Sequence, residues 1–158
     1  MKQRARILIA VGVLVVIDGL VVGIEFLRRG SSDAGVPGSI PIDVDGQTRA
    51  RFVPDDLTEL EQVSFVDDEE GKTQEGWLLR DVLALYMQVD DLEPDTVIIV
   101  SSSSREKSAE VTWSEVANLD NMVMFDLAGR GTLKLVSKLE GLAVRDECIQ
   151  DVDRIEIR

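Results

Sequence analysis

The sequence predicts a small α+β domain, mostly β, preceded by one N-terminal transmembrane helix. Three observations indicate this fold class. A long apolar segment lies near the N-terminus, many short apolar or alternating segments follow it, and few segments show helical periodicity. The length of 158 residues suits one domain of ordinary size behind such an anchor.

The composition excludes several kinds of site. The chain has 17 Lys and Arg, 30 Asp and Glu, a net charge of −13, no histidine and one cysteine. A His-based catalytic triad, a zinc site with His ligands and an intramolecular disulfide are therefore excluded. The acidity also argues against a nucleic-acid partner, because neutralising phosphates requires clustered Lys and Arg.

The predicted anchor is the segment 7–27, in which fifteen of 21 residues are Ile, Leu, Val or Phe. As a helix it would be about 31 Å long, which matches a hydrocarbon core of roughly 30 Å. Three basic residues precede it and two follow, so we expect a cytoplasmic tail, 1–6, and an extracytoplasmic C-terminal domain. A cleaved signal peptide is the alternative, but no small-x-small cleavage site follows the apolar run.

Polar and small residues inside the anchor indicate a helix-packing surface. Asp18 near the centre costs roughly 2.5–3.5 kcal/mol, which the aliphatic residues outweigh. Gly19 and Gly23 form a Gly-x-x-x-Gly pair that lets two membrane helices approach closely. These three residues suggest docking to a membrane-protein partner. The alternatives are that glycine is simply common in membrane helices, and that Asp18 finds water or lipid headgroups.

The segment 28–39 is rich in Gly, Ser and Pro and reads as a flexible linker to the domain, 40–158. From Gly30 onward there are 12 basic and 28 acidic residues, and 12 − 28 gives −16. The acidity therefore belongs to the soluble part. It indicates a solvated surface, or alternatively repulsion from the anionic headgroups of the bilayer.

The domain is expected to begin with a hairpin, because residues 40–44 alternate, Asp45-Gly46 is a turn pair, and 48–53 is again extended. A helical turn with two leucines follows Pro54. Leu78, Leu79, Val82, Leu83 and Tyr86 have the spacing of an amphipathic helix, and a short helix is expected over 113–119. Trp77 and Trp113 would begin these two helices. Further strands are expected at 63–66, 97–100, 109–112, 122–125, 133–136 and 155–157.

Four other motifs are interpreted as structural. The acidic run 67–71 and Asp43-x-Asp45-Gly46 resemble parts of cation sites, but neither has the spacing of a calcium loop. Ser101 to Ser104 reads as a polar loop after a buried strand. Cys148 has acidic neighbours that would raise its thiol pKa, so a partly buried structural cysteine is expected.

The order of several blocks resembles a known family. These are EGWLLRDVLALY, DTVIIVSSSS, AEVTWSEV, NMVMFDLAGR, GTLKLVSKLEG and RDECIQDVDRIEIR. Across 40–158 this layout resembles the oxidoreductase molybdopterin-binding domain, the sulfite-oxidase-like fold. The resemblance implies a molybdenum–pterin cofactor, held by a cysteine thiolate in the first half of the domain and by basic and histidine residues around the pterin phosphate.

The chain departs from that pattern where the cofactor would bind. It has no histidine, Cys148 lies in the terminal segment, and Lys134 stands where the family often has Arg after Gly-Pro-Leu. The resemblance thus implies the fold but supplies no catalytic, cofactor-binding or metal residue. We expect a non-catalytic, membrane-anchored accessory or binding subunit without a cofactor. The alternative is a molybdopterin-dependent oxidoreductase.

Overall fold

Ten strands in two five-stranded sheets form the framework of the described chain. The computed structural model describes residues 38–67, 71–127, 131–143 and 147–158, all within one unit, Pro37–Arg158. The strands are β1 (Ile40–Val44), β2 (Gln47–Phe52), β3 (Val63–Val66), β4 (Thr73–Leu78), β5 (Val97–Ser102), β6 (Lys107–Thr112), β7 (Met124–Leu127), β8 (Leu133–Val136), β9 (Ile149–Gln150) and β10 (Arg154–Ile157). The fold is α+β and mostly β, as predicted.

The first sheet has the order β2-β1-β10-β5-β6, and the second has the order β3-β4-β7-β8-β9. All neighbours pair antiparallel except β1 and β10, which are parallel. The first hairpin closes through Asp45 (φ 51°) and Gly46 (φ 75°), the left-handed pair that a tight hairpin turn requires. The last strand, β10, therefore lies in the middle of the first sheet beside the first strand, which joins the two ends of the domain.

One hydrophobic core contains side chains of both sheets. Ile42, Val100 and Ile155 of the first sheet and Phe125 and Leu135 of the second belong to one buried cluster. Side chains alternate along each strand, so Leu133 and Leu135 of β8 face this core. Lys134 and Val136 lie on the other face of β8, where Val136 packs with Leu78, Met124 and Cys148.

The helices are short. They are α1 (Leu79–Ala84), α2 (Trp113–Ala117) and the 3-10 helices Pro54–Glu59, Val89–Asp91 and Leu119–Asn121. Helix α2 is capped by Thr112, whose hydroxyl accepts from the amide of Glu115 while the Glu115 carboxylate accepts from the amide of Thr112. The first 3-10 helix is fastened by Asp56, which accepts a hydrogen bond from the Tyr86 hydroxyl. Burial and this hydrogen bond raise the pKa of Tyr86 to about 12.

The structure corrects the predicted helix start. Trp77 and Leu78 lie in strand β4, and the helix begins only at Leu79. The leucines at 78 and 79 are both buried, but Leu78 packs on the outer face of the second sheet and Leu79 packs in the main core. The two adjacent leucines therefore belong to different elements. Leu78 is the last residue of the strand and Leu79 is the first residue of the helix, so their side chains can pack in different clusters.

Smaller differences concern strand ends. Ser101 and Ser102 extend β5 and are not part of a loop, and Ser102 is buried. Strands β4 and β9 were not predicted, whereas the hairpin and β8 have almost the expected bounds. The predicted anchor with Asp18, Gly19 and Gly23 lies outside the described residues. Within the described ranges, none of the helices combines the length and apolar character needed to cross a bilayer.

Candidate functional site

A groove of about 460 Å³ lies where four connecting segments meet. The segments are 38–40 entering β1, 53–55 between β2 and the first 3-10 helix, 131–133 entering β8, and 151–153 joining β9 to β10. We refer to it as the aspartate groove, after Asp55, Asp151 and Asp153 in its lining. Both sheets contribute to it, so the groove exists only in the folded domain.

Backbone hydrogen bonds fix the β9–β10 connection in this groove. The amide of Val152 donates to the carbonyl of Leu133 at 3.0 Å, and the amide of Asp153 donates to the carbonyl of Ser101 at 3.0 Å. Asp151 between β9 and Val152 has φ 56°, a left-handed conformation that aspartate tolerates better than most residues. The two aspartates are therefore held between the second sheet and the β5–β6 turn.

The two aspartates of this connection have different partners. The Asp151 carboxylate binds the guanidinium of Arg105, with 2.7 Å between Oδ2 and Nε. The Asp153 Oδ2 accepts from the amide of Ser103 at 2.9 Å. The buried Oδ1 of Asp153 has no hydrogen-bond partner, and neither does the buried Oγ1 of Thr132. These are the two unsatisfied buried side-chain oxygens of the described residues, and both belong to residues that line the groove.

The groove is acidic with apolar walls. Its lining includes Ile40, Val53, Pro54, Leu133 and Val152. Among the described residues, none that line it is basic. Such a surface disfavours anionic ligands, because they would meet the exposed carboxylate of Asp55 with no basic side chain among the described lining residues.

The acidic residues within the described ranges are not grouped as metal ligands. No group of three or more His, Cys, Asp or Glu side chains within the described ranges is placed to hold a metal ion. Asp43 accepts from the Thr48 hydroxyl at 2.7 Å and lies 3.5 Å from the Arg154 guanidinium. Asp43 is thus engaged by side chains of the two strands that flank β1 in the first sheet. Residues 68–70 of the acidic run lie outside the described ranges.

Cys148 lies apart from the groove. It is 7% exposed on the outer face of the second sheet, where its Sγ donates to the carbonyl of Leu142 at 3.6 Å. Burial is the main cause that raises the pKa of its thiol, and the nearby ammonium of Lys134 only partly opposes this. The thiol therefore stays protonated at neutral pH, as expected for a structural cysteine.

Lys134, the residue that stands where the resembled family often has Arg, also lies on that outer face. Its ammonium is 3.1 Å from Asp126 Oδ2 and donates to Gln74 Oε1 at 3.0 Å. Asp126 is on the adjacent strand β7, and Gln74 is on β4, the next strand beyond it in the second sheet. The ammonium of Lys134 thus pairs with side chains of its own sheet, and Lys134 does not line the aspartate groove.

We expect iodoacetamide to alkylate Cys148 in the folded protein about a hundredfold more slowly than in the unfolded chain, because a buried, protonated thiol is a poor nucleophile. The measurement is the alkylation rate at neutral pH by mass spectrometry. The same protein in guanidinium chloride is the control. Equal rates in both states would contradict the burial of Cys148.

Sequence reasoning did not find the groove. In the sequence, Asp55 is interpreted only as an acidic residue at the start of a helical turn, and Thr132 and Asp153 are ordinary polar residues beside turns. The local signal at 151–153 was an Asp-x-Asp spacing, which is frequent in acidic chains. The site depends on four segments that are distant in sequence, so no single motif could have indicated it.

No protein-family model matches the chain, and no curated protein matches it significantly.

Proposed function

We propose that this protein is a membrane-anchored, non-catalytic accessory or binding subunit, with a C-terminal domain of the sulfite-oxidase-like fold outside the cytoplasm. The observation that supports a binding role is the aspartate groove, which has a ligand-sized volume and a lining of apolar residues and aspartates. The anchor 7–27 would hold the domain at the bilayer, and Asp18, Gly19 and Gly23 would dock it to a membrane-protein partner.

The charge of the groove supports binding without a molybdopterin cofactor. A pterin phosphate is anionic and requires basic side chains, whereas the described lining offers three aspartates. Cys148 is buried on another face of the second sheet and has a raised thiol pKa. A reactive metal ligand would instead need an accessible thiolate. Both observations favour a domain that binds a ligand and does not carry out redox chemistry.

The proposal is tested by purifying the full-length chain from its native membrane in a mild detergent. We expect a stoichiometric membrane protein to co-purify and elemental analysis to find no molybdenum. Molybdenum near one atom per chain would overturn the non-catalytic assignment in favour of a molybdopterin-dependent oxidoreductase. Purification of the chain without any stoichiometric partner would overturn the accessory role.

Replacing Asp18 by leucine should leave membrane insertion intact and reduce recovery of the partner at least about fivefold. An aspartate in a bilayer is expected to face protein, and leucine removes its interhelical hydrogen bond while making the span more apolar. Partner recovery is measured by quantitative mass spectrometry. Leu14→Ala, another change within the span, is the control and should keep the partner. Unchanged recovery with Asp18→Leu would count against docking through this residue.

A further inference from the structure

We propose that the edge of strand β3 binds an extended segment of a partner protein as an additional strand, and that Lys or Arg residues flank the apolar part of this segment. The inference goes beyond the docking proposed for the anchor, because it concerns a surface of the C-terminal domain. The juxtaposition that carries it is an uncharged edge strand between two acidic stretches of chain.

Strand β3 lies at the end of the second sheet, where β4 is its one partner among the described strands. The amide of Asp67, directly after β3, donates to the carbonyl of Lys72 on the side of β4 at 2.8 Å. Backbone groups alternate in direction along a strand, so Ser64 and Val66 direct their amides and carbonyls away from the sheet. Both residues are exposed. The edge therefore offers two donors and two acceptors to an added strand.

The other three edge strands have features that prevent strand addition, and β3 has none of them. Strand β2 carries Arg49 and Arg51 and has a register shift against β1, β6 carries Lys107 and Glu110, and β9 has only two residues. Charges, irregular register and short length are the usual means by which proteins protect sheet edges. Strand β3 has the uncharged sequence VSFV, and its Val66 is 56% exposed, more than any other large hydrophobic residue described.

The side chains of β3 favour an apolar sequence in the added strand. Val63 and Phe65 are partly buried and pack against the outer-face cluster that contains Met124 and Val136. Cross-strand neighbours on one face of a sheet contact each other, so apolar residues of an added strand would extend this cluster. On the opposite face they would cover Val66, because side chains alternate along a strand.

The charges around β3 favour basic residues at both ends of the added strand. The stretch 59–72, which contains β3, has six acidic residues and one lysine, and 1 − 6 gives −5. The ammonium of Lys138 lies 5.5 Å from the centroid of the Phe65 ring, and counting this charge as well leaves −4. Complementary charges steer the encounter and disfavour wrong partners. Two copies of β3 paired edge to edge would instead bring two stretches of −5 together, so a basic partner segment fits better than a second copy.

The test is isothermal titration of the full-length protein in a non-ionic detergent at low salt, with three capped peptides. KKVTVTVKK has the expected chemistry, EEVTVTVEE reverses its charge, and KKVTPTVKK keeps the charge but has a proline that disrupts strand pairing. We expect one KKVTVTVKK to bind per chain, and the other two peptides to bind at least about tenfold more weakly. No saturable binding of KKVTVTVKK would overturn the proposal. Equal affinity for KKVTPTVKK would show charge attraction without strand addition, and equal affinity for EEVTVTVEE would overturn the basic partner.

A matched pair of proline variants locates the site. Ser64→Pro removes an N–H that faces away from β4, a position where an edge strand tolerates proline, and it should lower KKVTVTVKK affinity at least about fivefold. Ser108→Pro makes the same change on the edge strand β6, where the Trp113 amide donates to the Thr96 carbonyl and the Ser108 amide by alternation faces away from β5. This control should change the affinity less than about twofold. Wild-type affinity in folded Ser64→Pro would overturn the assignment to β3.

Hydrogen exchange of the wild-type protein, measured by NMR, decides the question if Ser64→Pro does not fold. The amides of Ser64 and Val66 should exchange rapidly in the protein alone and at least about tenfold more slowly with KKVTVTVKK bound. Slow exchange of both amides before the peptide is added would show that the edge is already covered and would overturn the proposal. Self-association of the chain that KKVTVTVKK abolishes would assign the edge to a second copy and would overturn it as well.

Failure of this proposal is distinguishable from failure of the accessory role. Peptide binding to β3 is measured on the purified chain, whereas the accessory role is measured by co-purification of the membrane partner.

Discussion

Replacing Gly76 by alanine should destabilise the domain by about 3 kcal/mol or more. A Cβ at this position would lie 2.0 Å from the backbone carbonyl oxygen of Phe125 and 2.8 Å from its carbonyl carbon. Gly76 is in β4 and Phe125 is in the adjacent strand β7, so the clash is with the sheet itself and not with a movable side chain. Relief requires separating two paired strands, which places this change at the upper end of overpacking effects.

The measurement is urea unfolding of the full-length protein in detergent, followed by tryptophan fluorescence. Gly46→Ala is the matched control, because a Cβ there meets no atom within 4 Å. Its cost should be about 1 kcal/mol, from the left-handed φ of 75° at this turn. Equal losses for the two variants would contradict the close approach of β4 and β7 at Gly76.

Gly76 also shows what the sequence could and could not reveal about β4. The segment Thr73–Leu78 contains three polar residues, a glycine, a tryptophan and a leucine, and it gives no clean alternation of apolar and polar residues. Because Leu78 fits the helical spacing of Leu79, Val82 and the apolar residues after them, the sequence predicts a helix that already includes Leu78. The strand is specified by its pairing with β3 and β7, a tertiary contact that a local pattern cannot contain.

The predictable elements were those whose pattern is complete within a few residues. The hairpin of β1 and β2 has alternation and an Asp-Gly turn, and β8 has its apolar residues on both faces because each face of the second sheet packs on a cluster. Strand β9 has only two residues, Ile149 and Gln150, and carries no periodicity. The aspartate groove could not be predicted from the sequence either, because its lining comes from four segments that meet only in the folded domain.

The C-terminal segment 149–158 contributes both to the first sheet and to the aspartate groove. The sequence predicts only a terminal strand in the segment after Cys148, but the first part of this segment supplies Asp151 and Asp153 of the groove, and its last part, β10, pairs with both β1 and β5. Truncation of this segment would remove the centre of the first sheet together with the groove. Ligand binding and folding of the domain therefore depend on the same stretch of chain.

Replacing Phe125 by alanine should destabilise the domain by about 3–5 kcal/mol, the range for truncating a fully buried aromatic residue. Phe125 of the second sheet stacks on Phe52 of the first, with ring centroids 6.1 Å apart and an interplanar angle of 15°. Phe52 also meets Tyr86 edge-on at 6.1 Å, which connects this pair to the residue that fastens the first 3-10 helix. The cavity left by alanine would therefore lie between the two sheets.

A double-mutant cycle separates the ring contact from simple loss of volume. Phe52→Ala, Phe125→Ala and the double variant are compared by urea unfolding, and we expect a coupling of about 0.5–1.5 kcal/mol. Phe125→Leu is the control that keeps most of the buried volume, with an expected cost below about 1.5 kcal/mol. Strictly additive losses would contradict direct stacking of the two rings. A coupled pair would show that the two sheets share one core, which is the condition for a groove built from both of them to keep its shape.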